Sequence, residues 1–151
     1  MASTSPSLFA PASADSDTGM TLHHVGFAVG SIAAVATAFA QSIGGTWDGG
    51  IVHDPVQQAR VSFVRTGGAG TPTLELIEPD AGDAPLSAFV ARGGGLHHLC
   101  YEVVSLDAQL ASSRASGALL VKPPAPAIAF GGRRIAWVYT KQRLLLEYLE
   151  R

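Results

Sequence analysis

The sequence predicts an α+β fold in which two βαβββ modules form one curved, mixed sheet of eight strands around a metal site. Three observations lead to this prediction. The chain has 151 residues, of which 47% are hydrophobic, and this size and composition suit one compact domain. Short motifs recur at a nearly constant spacing. Strand-like and helix-like patterns also follow one another in the same order in both halves.

The internal repeat centres on two pairs of adjacent histidines. Three segments of the first half match segments of the second half in the same order: LHHV at 22–25 with LHHL at 96–99, RVSFVRT at 60–66 with RIAWVYT at 134–140, and LEL at 74–76 with LEY at 146–148. The first two pairs are 74 residues apart and the third is 72 residues apart. One match arises easily by chance, but an ordered series indicates a duplicated module.

The first module is predicted to span residues 21–80. A strand at 21–29 alternates in polarity and ends at Gly30. Ser31 is a good N-cap, and apolar residues then recur at steps of three and four until Gly44 closes the helix. The three remaining strands of this module are predicted near 46–53, 59–66 and 72–78.

The second module, at 95–150, repeats this order. Residues 84–92 predict a short helix between the modules, followed by a strand at 96–104. Ser105 then caps a helix predicted at 105–116. The last three strands are predicted near 118–122, 133–140 and 143–149.

Residues 1–20 are predicted to be a disordered extension of the domain at 21–151. They are rich in Ser, Ala, Pro and Asp and show no strand or helix periodicity. A single cysteine, Cys100, and the absence of an apolar run near 20 residues predict a cytoplasmic location. The net charge of −2 gives no reason to expect a nucleic acid or a membrane as partner.

Four polar residues interrupt the apolar strands at equivalent positions in the two modules. They are His24 and Glu75 in the first module, and His98 and Glu147 in the second. Singly, each is more simply explained as a structural or solvent-facing residue. Their repetition favours a joint site, because a pseudo-twofold axis brings all four together. Two imidazoles and two carboxylates suit one divalent ion such as Co, Ni, Zn, Mn or Fe.

The neighbouring histidines, His23 and His97, are the competing ligands. Side chains alternate along a strand, so these two are expected on the bulky, helix-facing side of the sheet. We therefore assign them structural roles.

At these residues the sequence resembles the vicinal oxygen chelate superfamily, and within it the methylmalonyl-CoA epimerase and glyoxalase I group. The resemblance covers about residues 21–150 and is carried by the segments at 24–29, 74–79, 84–103 and 131–137. It implies the glyoxalase-like fold and a substrate whose two oxygens chelate the metal. It also implies that the metal stabilises an enolate while Glu147, both ligand and catalytic base, carries the proton.

One position departs from the epimerase pattern. Epimerases of this group carry a glutamate after a proline before the third strand, and here Val56 takes that place. Valine cannot move a proton, so His53, Asp54 or Gln57 acts differently, or one base suffices. Gln57 and Arg134 are predicted to contact the substrate. Arg134 belongs to a basic stretch that can meet phosphates, although a solvated surface explains that stretch as well.

The resemblance favours an isomerase-type enzyme acting on a small-molecule carbonyl substrate, such as the acyl-CoA methylmalonyl-CoA. The alternatives are a glyoxalase-like lyase, a dioxygenase, or a non-catalytic binding or resistance protein on the same fold. Exposed edge strands near 46–53 and 118–122, together with the resemblance, predict a homodimer.

Overall fold

A computed structural model of the protein describes residues 19–82 and 84–151. The first module contains β1 (Met20–Ala28), α1 (Ile32–Ser42), β2 (Thr46–Trp47), β3 (Val52–Asp54), β4 (Ala59–Arg65) and β5 (Thr73–Pro79). Helix α2 (Ala84–Ala91) leads into the second module. That module contains β6 (Gly95–Val103), α3 (Leu106–Ala115), β7 (Leu119–Pro126), a 3-10 turn (Ile128–Phe130), β8 (Arg134–Tyr139) and β9 (Leu145–Glu150).

The predicted N-terminal extension lies mostly outside the described residues, which exclude positions 1–18. That residues 1–20 form an extension therefore stays a prediction. No helix within the described ranges is long and apolar enough to span a membrane.

The strands form one mixed sheet in the order β2-β4-β5-β1-β6-β9-β8-β7, with β3 also paired to β4. Strands β1 and β6 pair antiparallel at the centre and join the two modules. Each of them also pairs in parallel with the last strand of its own module. The predicted arrangement of two modules in one mixed sheet is therefore confirmed.

The predicted strand at 46–53 is divided into β2 and β3. Between them Asp48 accepts a hydrogen bond from the backbone N–H of Gly50 at 2.9 Å, and Gly49 has a φ of +85°. Glycine adopts this left-handed conformation without the steric cost that a side chain adds. The resulting turn explains why the structure has nine strands where the sequence predicted eight.

Helices α1 and α3 pack on one side of the sheet and are capped as predicted, by Ser31 and Ser105. A second helix cap, formed by a glutamate, is also present in both modules. Glu78 accepts a hydrogen bond from the N–H of Ile32 at 2.8 Å, and Glu150 accepts one from the N–H of Leu106 at 3.1 Å. A carboxylate at a helix N-terminus satisfies a free donor and complements the helix dipole. The opposite, concave face of the sheet remains for a ligand.

Candidate metal centre

Both histidine pairs lie at β-bulges in the central strands. In the β1–β6 ladder Leu22 pairs with Tyr101 and His24 pairs with Cys100, although Tyr101 and Cys100 are adjacent. His23 is therefore one extra residue on β1. One extra residue on the facing strand, His97, falls between the partners of Gly26 and Phe27. A bulge interrupts the alternation of side chains and turns a residue toward the other face.

The bulges overturn the expected orientation of His23 and His97. The ring of His23 packs 5.4 Å from Phe130, which belongs to the apolar cluster of the concave face. The ring of His97 packs 5.2 Å from Phe89 and 6.2 Å from Trp137. Both therefore lie beside the site rather than under α1 and α3, because strict alternation does not hold across a bulge.

The structure brings together the four predicted ligand side chains, which are all buried. Nε2 of His24 lies 3.1 Å from Nε2 of His98, 3.5 Å from Oε2 of Glu75 and 3.2 Å from Oε2 of Glu147. Nε2 of His98 lies 3.3 Å from the same oxygen of each glutamate. Ligand atoms that surround one ion tetrahedrally at about 2.0–2.2 Å are separated by roughly 3.3–3.6 Å. The observed spacing fits one divalent ion.

The bulge histidines orient the two inner imidazoles. Nδ1 of His23 lies 2.9 Å from Nδ1 of His24, and Nδ1 of His97 lies 3.0 Å from Nδ1 of His98. One nitrogen of each pair donates and the other accepts. This contact leaves Nε2 of each inner histidine directed at the centre, and such outer contacts typically fix the tautomer of a metal ligand.

Gly26 makes room for one of these rings. A Cβ atom at Gly26 would lie 2.0 Å from Cε1 of His98, well inside van der Waals contact. The equivalent residue of the second module is Cys100, which faces His24. The centre is therefore crowded on both sides, and any side chain at position 26 displaces the imidazole of His98.

Burial and mutual attraction shift the pKa values of these four groups in opposite directions. Burial alone lowers the pKa of His24, but the carboxylate of Glu75 outweighs it and the net pKa is raised above its usual value. Burial alone raises the pKa of Glu75, but His24 outweighs it and the net pKa is lowered. The pKa of His98 is raised and that of Glu147 lowered by the same opposition. A dication bound at this centre can replace the protons that the two histidines otherwise retain.

One oxygen of this centre needs a further partner. Oε2 of Glu147 is buried and, among the described residues, accepts no hydrogen bond of acceptable geometry. A buried carboxylate oxygen is costly without a donor or a cation. A metal ion at the centre satisfies this oxygen, so the residues present fit the group that the resemblance implies.

A second cluster, His23, His24 and Cys100, also lies within metal-ligand range. Burial, together with the charge of Glu147, raises the pKa of the Cys100 thiol to about 12. Metals bind the thiolate rather than the thiol, so this cluster is the weaker ligand set.

Two of the four ligands, Glu75 and Glu147, line an inner cavity with a volume of about 30 Å³. Its walls are mostly apolar and include Val61, Ile77, Phe130, Ile135 and Trp137, together with the two glutamates, Asp54 and Gln57. An outer groove adjoins it and shares Gln57, Ile77 and Trp137. The remaining walls of the outer groove include Pro85, Leu86 and Phe89 of α2, Val121 and Leu145, with Arg92 and Lys122 among the lining residues.

The two predicted substrate contacts have different outcomes. Gln57 lines both spaces, whereas Val56, the position compared with the epimerase glutamate, is 54% exposed and lines neither. Arg134 is not brought to the site. It forms ion pairs with Glu150 and Asp107 beside the start of α3. Arg60 contacts Glu78 in the same way at the start of α1, so both arginines belong to the duplicated helix cap.

Two residues of the inner cavity have contacts that the sequence did not predict. Asp54 is buried, and its carboxylate accepts hydrogen bonds from the N–H groups of Val56, Gln57 and Ile128 at 3.0, 3.0 and 2.7 Å. It thereby connects the two modules across the cavity. Trp137 stands over His98. The apolar pattern of β8 indicates that Trp137 is buried. The neighbouring sequence does not show whether such a buried residue lines a cavity or belongs to the core.

Residues 23–137 match the family model of the glyoxalase/bleomycin resistance protein/dioxygenase superfamily, and the chain belongs to this superfamily. Ethylmalonyl-CoA/methylmalonyl-CoA epimerase of Cereibacter sphaeroides is 26% identical over 80% of this chain and 88% of its own length. Human mitochondrial methylmalonyl-CoA epimerase is 34% identical over 58% of this chain and 48% of its own length.

A crystal structure of methylmalonyl-CoA epimerase from Mycobacterium tuberculosis superposes with a TM-score of 0.72 at 24% identity, covering 86% of this chain and 87% of the other. The predicted superfamily and fold are thus confirmed. The named relatives are epimerases, which agrees with the predicted isomerase class.

Proposed function

We propose that the protein is a metal-dependent epimerase of a 2-carboxyacyl-CoA thioester such as methylmalonyl-CoA. The observation that carries the proposal is the buried set of two imidazoles and two carboxylates at the base of the inner cavity. The epimerase relatives support the same reaction class. No structural observation favours the lyase, dioxygenase or binding-protein alternatives over it.

His24, Glu75, His98 and Glu147 would hold the ion. A bound Co, Ni, Zn, Mn or Fe ion would supply positive charge beside the substrate's carbonyl oxygens, which lowers the free energy of an enolate. The apolar walls of the inner cavity exclude water and so strengthen electrostatic interactions within it.

The proton is carried by carboxylates of this chain. Glu147 accepts the proton from the substrate's α-carbon, because its carboxylate side chain lines the inner cavity. Glu75 lines the same cavity, so Glu147 is not the only carboxylate in reach. Gln57 also faces the cavity, but its amide does not accept a proton at neutral pH.

The outer groove supports a CoA thioester as substrate. Its apolar walls suit the pantetheine arm, and the cationic side chains of Arg92 and Lys122 suit phosphates. A groove that continues into the inner cavity allows the acyl end to reach the metal centre while the nucleotide stays outside.

The test has two parts. Purified protein is expected to bind about one divalent ion per chain by elemental analysis, and His98→Ala should weaken that affinity 10-fold or more. Metal-loaded protein in D2O should exchange the α-hydrogen of methylmalonyl-CoA for deuterium, which is measured by NMR. Removal of the metal with a chelator should abolish this exchange. Protein that binds metal but leaves this hydrogen untouched would contradict the proposal.

We also infer a homodimer. The strands at the two ends of the sheet, β2 and β7, leave backbone groups unpaired within the described sheet, and such edges favour pairing or coverage. Light scattering should give twice the chain mass at micromolar concentration, and a monomer would contradict the inference. The cytoplasmic location stays a prediction.

A further inference from the structure

Trp137 differs in chemistry from its counterpart in the first module, Phe63. The indole of Trp137 packs edge-on against His98 with ring centroids 4.6 Å apart. Phe63 packs edge-on against His24 in the same manner, at 5.9 Å. A phenyl ring is therefore sufficient to cover a ligand histidine, and packing alone does not explain an indole at position 137.

The feature that Phe63 lacks is the indole N–H. Trp137 is only 8% exposed, and its Nε1 has no hydrogen-bond partner among residues 19–82 and 84–151. Buried N–H groups almost always have a partner. The other tryptophan follows this rule, because Nε1 of Trp47 donates to Oγ of Ser62 at 2.7 Å. The N–H of Trp137 is thus a buried donor left for a ligand.

This donor stands at the boundary between the inner cavity and the outer groove, both of which Trp137 lines. The carboxylates of the cavity are engaged by other groups, and among the described residues no hydrogen bond joins Trp137 to Gln57, whose amide oxygen is a further acceptor there. Asp54 accepts three backbone N–H groups, and the two glutamates contact the histidines of the metal centre. An acceptor for Trp137 therefore has to come with the substrate.

We propose that the indole N–H of Trp137 donates a hydrogen bond to a carboxylate oxygen of the substrate and thereby selects 2-carboxyacyl thioesters. The thioester part of this inference rests on the proposed function. Such a substrate has three oxygens near its α-carbon. Two suffice for chelation, and the third accepts from Trp137. A hydrogen bond to a charged oxygen in a buried cavity is strong, whereas a hydrogen or methyl group there leaves the N–H unpaired.

The most direct test observes the donor itself. Uniformly 15N-labelled, metal-loaded protein has two indole N–H resonances, one from each tryptophan, and the Trp47→Phe variant assigns them. A diamagnetic ion, Zn, keeps both resonances visible. Titration with malonyl-CoA should shift the proton of Trp137 downfield and leave that of Trp47 in place. Propionyl-CoA, which lacks the carboxylate, should produce no comparable shift.

A matched substitution tests selectivity. Trp137→Phe gives position 137 the residue that the first module has, so the ring against His98 is retained and the metal content should be unchanged. By calorimetry, its affinity for malonyl-CoA should fall about 10- to 100-fold, the usual range for a hydrogen bond to a charged group. Its affinity for propionyl-CoA should stay within about twofold. Trp47→Phe should change neither affinity.

The outcomes separate this inference from the proposed function. The role of Trp137 alone is overturned if the wild-type protein epimerises methylmalonyl-CoA and either of two results is found. One is that Trp137→Phe loses equal affinity for malonyl-CoA and propionyl-CoA, and the other is that malonyl-CoA does not shift the Trp137 resonance. In another outcome, pyruvate and malonate shift the Trp137 resonance, but the protein neither binds acyl-CoA thioesters nor exchanges their α-hydrogens. This result supports carboxylate recognition by Trp137 and refutes the proposed function.

Discussion

The two modules are alike where they build the framework and different where they enclose the cavity. Each contributes one bulged histidine pair, one buried glutamate and one helix capped by a serine and a glutamate. Three of the differences are at the equivalent pairs Phe63 and Trp137, Gly26 and Cys100, and Asp54 and Ile128. A symmetric site offers both faces of a substrate the same groups. We infer that these differences make the cavity selective.

The largest expected effect distinguishes the two equivalent glutamates. Glu147→Gln keeps an oxygen ligand but removes the base, so α-hydrogen exchange should fall by about 10²–10⁴-fold. Glu75→Gln should mainly weaken the metal site and lose less activity at saturating metal. Both are measured by deuterium exchange into methylmalonyl-CoA with metal content determined in parallel. Equal losses at saturating metal would assign a proton-transfer role to Glu75 as well.

The second comparison is between Asp54 and Ile128. Asp54→Ala leaves three backbone N–H groups without their acceptor and breaks the link between the modules. We expect the free energy of unfolding to fall by about 3 kcal/mol in urea denaturation. Ile128→Ala removes a side chain that is 53% exposed and should change it by about 0.5 kcal/mol or less. Similar losses for both would mean that the carboxylate of Asp54 contributes little.

A third test concerns the missing second acid. Gln57 faces the cavity and Val56 faces solvent, so the restoring change is Gln57→Glu. It should raise the rate of inversion relative to exchange by about tenfold, because a positioned carboxylate can protonate the second face. The ratio is read by chiral analysis alongside deuterium incorporation. Val56→Glu is the matched control. A gain from Val56→Glu and none from Gln57→Glu would restore position 56 to the mechanism.

The smallest effect is expected at the two arginines of the helix caps. Arg134→Gln should leave the KM for methylmalonyl-CoA within about twofold, since Arg134 pairs with Glu150 and Asp107 away from the cavity. Arg60→Gln should behave alike, and both should give only small shifts of the urea midpoint, as exposed ion pairs do. A large rise of KM in Arg134→Gln alone would return this residue to substrate binding.

The sequence by itself determined the features that repeat. The duplication, the order of strands and helices, both serine caps and the four candidate ligands follow from local periodicity and from comparing one half with the other. These signals are readable because secondary structure imposes a period on neighbouring residues, and a duplicated module shows each period twice.

Two kinds of feature depend on the tertiary structure and not on the periodicity of the sequence: side-chain orientation at the bulges and contacts between distant segments. The bulges at His23 and His97 depend on how β1 pairs with β6, and they reverse the orientation that alternation predicts. The sheet also brings the backbone N–H of Ile128 to Asp54 from 74 residues away, and it leaves the indole N–H of Trp137 without a partner among the residues that the structure describes. Such contacts depend on register and curvature, which join distant segments. For this reason the four candidate ligands were visible in the sequence, while the walls of the cavity were not.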